Sequence, residues 1–247
     1  MSEEAACKNC NYKFEPSYDF CPKCGQEAGL KADSFVDFVG HFLKDYFTFD
    51  NKIFNSVKPL LMKPGFLTNE FIIGRRARYI SPVRLYLFIS ILFFLLLGWL
   101  GGSSTQVVAN TDDWDHFFES YLPKLFFVLL PLFALVLHLL FIRNKRSYVV
   151  HFVHAIHFHS FVFFSTSLYL AISALLENFN FGNLNLIVLL PFLLGFVFYL
   201  LVSMKQVYGQ AWGKIVLKTV LLLLLYGGIA FVSMVIAFLI LPGILSP

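Results

Sequence analysis

The chain has 247 residues, of which 58% are hydrophobic and only 14% charged, with a formal net charge of +4 and a mean hydropathy of +0.72. Soluble domains carry about 45–50% apolar and about 25% charged residues, so a water-soluble monomer is excluded. The 31 phenylalanines cluster in long uncharged runs, which points to lipid contact rather than to a large soluble core.

Residues 1–26 read as a Cys-rich head. Met1 to Cys10 holds two glutamates and no apolar run, so no cleavable signal peptide is expected before the first hydrophobic segment, and the N-terminus is expected to stay where it is made. All four cysteines lie in the head, as Cys7-Lys-Asn-Cys10 and Cys21-Pro-Lys-Cys24-Gly25, two knuckles separated by ten residues. Each CxxC turn lets two thiolates converge on one ion, and two such turns complete the tetrahedral sulfur shell of a closed zinc site. Cys7, Cys10, Cys21 and Cys24 are therefore expected to hold one structural zinc ion. A redox dithiol would instead need one CxxC at a helix start after a strand. A four-thiolate shell leaves no place for water or substrate, so the zinc ribbon is expected to organise the head for docking to a protein partner. Lys8, Lys13, Lys23 and Lys31 are offset by Glu3, Glu4, Glu15, Asp19 and Glu27, which is no nucleic-acid footprint.

Residues 33–83 read as an amphipathic and basic membrane-interface segment. Ser34 and Asp37 resemble a helix start, and Phe35, Phe38, Val39, Phe42, Leu43, Tyr46 and Phe49 recur at helical spacing. That helix would lie in the membrane interface or pack on the bundle, with His41 on its polar face. The basic connector that follows runs through Lys63-Pro-Gly and Glu70 to Arg75, Arg76 and Arg78, then Tyr79-Ile-Ser-Pro82 and Arg84. Such arginines enforce topology, or hold anionic lipid at the mouth of the first span.

Residues 84–247 read as an all-α transmembrane domain. A hydrocarbon core about 30 Å thick needs roughly 20 apolar helical residues. Five stretches meet that length, at about 84–101, 121–142, 151–176, 184–204 and 215–241, with six spans as the alternative if Gly227-Gly228 breaks the last one. With the N-terminus inside, eighteen of the nineteen Lys and Arg fall on the cytoplasmic side, and only Lys124 on the other. Five spans then put the C-terminus outside, which in a bacterial cell is the periplasmic face of the inner membrane.

The third span opens His151-Phe-Val-His154-Ala-Ile-His157-Phe-His159. At 100° per residue, His151, His154 and His157 share one face while His159 points elsewhere. His138, near the end of the preceding span, is joined to them by a short turn. Intramembrane ionisable residues are functional candidates, and these imidazoles could bind a metal or relay protons. No Asp or Glu lies between Phe126 and Leu176 to complete a hydrolytic or oxidative metal site. Hydrogen bonding between helices is the plainer alternative.

The double knuckle, the Lys63-Pro-Gly turn, Glu70 followed by Gly74-Arg-Arg, Tyr79-Ile-Ser-Pro before the first span and a His-rich third span together resemble the bacterial domain-of-unknown-function 3667 family. The resemblance covers nearly the whole chain. It implies a bacterial inner-membrane protein with a zinc ribbon and transfers no catalytic residue. Three functions remain: a non-enzymatic membrane component whose ribbon recruits a cytoplasmic partner or assembles with other subunits, a metal-dependent enzyme acting on lipid through His138, His151, His154 and His157, and a small proton-coupled transporter. The first is preferred because the strongest motif is structural. Serine-hydrolase and P-loop patterns are absent.

Overall fold

The protein is seen in a computed structural model that describes residues 5–28, 52–104, 122–179 and 185–245. The amphipathic stretch 33–49, with His41, lies outside the described residues.

The head begins with two short antiparallel strands, β1 (Ala5–Ala6) and β2 (Lys13–Phe14). A bridge pairs Phe20 with Glu27. Its small interior consists of Cys7, Phe14 and Cys21.

The connector folds into two helices. It forms α1 (Lys52–Met62) and α2 (Phe66–Ile73), joined by the Lys63-Pro64-Gly65 turn. Gly65 is required there twice over. Its φ is 79°, and a Cβ would stand 2.9 Å from the Ser203 carbonyl oxygen, a contact that only glycine permits. One side chain from a later helix binds this hairpin: the Tyr199 hydroxyl donates to the Leu60 carbonyl at 2.7 Å, near the end of α1 where carbonyls lack helical partners. Asn69 Nδ2 donates in return to the Gln206 carbonyl at 3.2 Å.

Five further helices follow: α3 (Pro82–Ser104), α4 (Leu122–Leu140), α5 (Tyr148–Asn178), α6 (Asn185–Tyr208) and α7 (Trp212–Leu245). Each contains a stretch long and apolar enough to cross a membrane, so the fold is an all-α polytopic bundle. The fifth stretch runs as one continuous helix through Gly227 and Gly228.

Helix α5 is the central element, packing against α3, α4 and α6 and against the hairpin α1–α2. On one side Phe163 anchors a ring cluster, 4.9 Å from Phe93, 5.0 Å from Phe126 and 5.7 Å from Tyr86. On the other, Phe141 stacks on Tyr208 at 3.7 Å, and Phe133 on Phe158 at 5.4 Å. Lipid tails are as apolar as these rings, so close van der Waals contact and interhelical hydrogen bonds must hold such a bundle together. The outward faces of α3, α6 and α7 stay exposed and apolar, with Leu95, Leu194 and Leu224 among them.

Candidate functional site

The cysteine head is built on two copies of one turn. Asn11 N–H donates to the Cys7 carbonyl at 2.9 Å, and Gly25 N–H to the Cys21 carbonyl at 2.8 Å. Cys7 N–H then reaches the Tyr12 carbonyl, and Cys21 N–H the Gln26 carbonyl. Asn11 and Gly25 occupy equivalent left-handed positions, with φ of 58° and 69°, a conformation open mainly to Gly and Asn.

These turns bring Cys7 Sγ to 3.6 Å from Cys24 Sγ, and Cys10 Sγ to 3.6 Å from Cys21 Sγ. All four sulfurs lie within 4.8 Å of one another. The contacts are far too long for disulfides, and four ligands at about 2.3 Å from a central zinc would stand about 3.8 Å apart, so the set fits one tetrahedral ion. The Tyr12 backbone pulls the Cys10 thiol down, but burial and the sulfurs of Cys24, Cys21 and Cys7 push it up, to about 12. Burial raises Cys24, yet hydrogen bonds from the Gln26 backbone, the Asn9 side chain and two neighbouring thiols bring it to about 7. Sulfurs this close resist collective ionisation unless a cation sits among them. Among the described residues, this is the one group of three or more such donors so gathered.

Gln26 ties the head to the turn that precedes the first span. Gln26 is buried, and its Nε2 donates to the Gly74 carbonyl at 2.8 Å. Its Oε1 accepts from the backbone N–H groups of Arg76 and Ala77, at 3.0 and 3.1 Å. Gly74 adopts a φ of 91°, and a Cβ there would meet Lys8 Cδ at 2.9 Å. Nothing in the sequence marks Gln26 for this role, since a glutamine after a knuckle has no pattern of its own.

The histidines form a polar seam between helices. His151, His154, His157 and His159 are all buried. Ser203 Oγ donates its one proton to the Leu200 carbonyl, so the 3.1 Å contact with His154 must be donated by His154 Nε2. A neutral His154 then accepts at Nδ1 from the Tyr208 hydroxyl at 3.3 Å, and that hydroxyl accepts in turn from His151 Nδ1 at 2.9 Å. The result is one directional chain, His151 to Tyr208 to His154 to Ser203, spanning α5 and α6. His157 Nδ1 pairs with Thr68 Oγ1 of α2 at 2.9 Å. His159 donates from Nδ1 to the Ala155 carbonyl at 2.8 Å and accepts at Nε2 from Tyr226 of α7 at 3.0 Å. His138 packs edge-on against His151, with ring centres 5.1 Å apart. His138 Nδ1 and His151 Nε2 are buried without a hydrogen-bond partner among the described residues. Tyr208, Ser203, Thr68 and Tyr226 are partners that sequence reading missed. Ser203 and Tyr208 carry one signal, hydroxyl groups near the end of an otherwise apolar helix, whereas Thr68 and Tyr226 carry none.

Residues 50–94 match the family model described as protein of unknown function DUF3667. The family resemblance holds over that segment. No curated protein and no solved structure matches the chain. The DUF3667 segment contains the hairpin, the Gly74 turn that receives Gln26, and the first half of α3, and so includes the residues that join the head to the bundle.

Within the DUF3667 segment the four arginines differ in surroundings. Arg75 Nη1 lies 3.4 Å from Oε1 of the buried Glu70. The Arg76 guanidinium covers the Phe71 ring at 4.0 Å. Arg78 is exposed, and Arg84 is half-buried in the first turn of α3.

Proposed function

We propose that the chain is a non-enzymatic component of a bacterial inner membrane, with its N-terminus cytoplasmic, its C-terminus periplasmic and a zinc ribbon that recruits a cytoplasmic protein partner. The observation that carries this reading is the Gln26 clamp. A head held by three hydrogen bonds to the turn before α3 is a fixed platform, and it turns Tyr12, Tyr18 and Phe20 outward, all more than 40% exposed. Exposed aromatics on so small a surface are characteristic of contact sites, because they bury large area at low entropy cost. The zinc supplies structure, since four thiolates fill its shell. The histidine seam supports the same reading: its rings bind hydroxyls of α2, α6 and α7 and so join helices.

The test is a photo-crosslinking residue placed at Tyr18 or Phe20 in cells. The expected result is one discrete protein adduct that disappears in a Cys21→Ser variant still inserted in the membrane. An adduct that persists in Cys21→Ser, or no adduct at either position, overturns the proposal.

A further inference from the structure

Beyond Glu177 the chain contains no acidic residue at all, and none lies between Glu119 and Glu177. Two neighbouring turns nevertheless gather six cations: Arg143, Lys145 and Arg146 between α4 and α5, and Lys205, Lys214 and Lys218 around the α6–α7 turn. None of the six forms an ion pair with a described acid.

The turns are fastened together by uncharged groups. Asn144 Nδ2 donates to the Tyr208 carbonyl at 3.3 Å, and Gln210 Nε2 donates to Asn144 Oδ1 at 2.8 Å. Lys145 is held in the left-handed region at φ 50°, which an unbranched non-glycine residue seldom adopts unless its surroundings require it. Two of the cations are individually placed: Lys218 Nζ stands 4.0 Å over the Phe141 ring, and Lys205 Nζ donates to the Gln210 carbonyl at 2.6 Å while lying 5.6 Å over Trp212. Trp212 is itself 53% exposed, and tryptophan favours the headgroup level of a bilayer.

We infer that these two turns form one built site for the headgroup of an anionic phospholipid, in addition to the partner surface of the ribbon. A topology signal needs only charge on the correct side. It does not need the two turns tied by Asn144 and Gln210, a left-handed lysine, or ammonium groups parked on rings and carbonyls. Cations beside a membrane, two of them held in place and none paired with a carboxylate among the described residues, match a phosphate diester, the anion present there at the highest local concentration.

The test uses the full-length chain in detergent, titrated with dioleoyl-phosphatidylglycerol or dioleoyl-phosphatidylcholine and read by native mass spectrometry. Wild type should bind one phosphatidylglycerol at least tenfold more tightly than phosphatidylcholine. Arg143→Gln, Lys145→Gln and Lys214→Gln should each weaken it about fivefold, following the usual contribution of a basic side chain at an anionic surface. The deciding variant is Asn144→Ala, which leaves charge unchanged and should also weaken phosphatidylglycerol severalfold. Gln210→Ala, which keeps the Asn144–Tyr208 bond, gives the same readout should Asn144→Ala not fold. Wild-type lipid affinity in whichever of these two uncharged variants folds would reduce the cations to a topology signal and overturn the site. Equal binding of the two lipids, or displacement of phosphatidylglycerol by an equal concentration of inorganic phosphate, would overturn it as well.

Discussion

Replacing Gln26 by alanine isolates the coupling between metal and membrane domain. The substitution removes three hydrogen bonds, at 2.8, 3.0 and 3.1 Å, between a buried side chain and the turn at Gly74, Arg76 and Ala77. Each contributes about 1 kcal/mol net, for a total of about 3 kcal/mol, because water can reach the freed backbone groups once the head lifts away. A head of this size cannot bury a sufficient core, so its folding and the binding of the proposed zinc are one equilibrium. Docking stabilises only the folded head, and its loss therefore appears as weaker zinc binding. At about 1.4 kcal/mol per tenfold, the apparent affinity should fall about 100-fold. Gln26→Glu keeps an acceptor for the two N–H groups but places an oxygen against the Gly74 carbonyl, and should lie at or below the alanine value. The assay is chelator competition on the full chain in detergent, with released zinc read by a colour indicator. Wild-type zinc retention in Gln26→Ala would refute the linkage and leave the head an independent module.

Chelator alone should remove one zinc per chain and leave the far-ultraviolet circular dichroism almost unchanged, since the helices lie in the bundle; a large loss of helix would contradict this. Gly65→Ala should destabilise by about 2 kcal/mol or more, from left-handed strain of about 1–2 kcal/mol plus displacement of the Ser203 backbone 2.9 Å away, measured as a lower midpoint in a thermal dispersion assay. Tyr208→Phe should cost about 2–4 kcal/mol by orphaning both His151 Nδ1 and His154 Nδ1. The same assay reads it, and photo-crosslinking at Phe20 should persist in the folded fraction; lost crosslinking at unchanged stability would assign the seam a functional role.

The membrane class, the five helices and the cysteine set were legible because they follow from local rules. A bilayer sets the length of an apolar run, and a pair of CxxC turns needs only its own spacing to aim four sulfurs at one point. The resemblance carried by Lys63-Pro-Gly and Gly74-Arg-Arg was legible as well, within the segment that matches DUF3667. Tertiary structure decided what those residues do. The same stretch reads in sequence only as a basic connector at the membrane interface, and it folds into a hairpin because Gly65 fits beneath the Ser203 carbonyl and Tyr199 binds the end of α1. Helical periodicity placed His151, His154 and His157 on one face but could not name their partners, which come from positions 49 to 89 residues away. Gln26 is the clearest case. Its two hydrogen-bonding ends meet a carbonyl and two N–H groups about 50 residues along the chain, and such complementarity exists only once separate segments have been brought together by packing that no local pattern encodes.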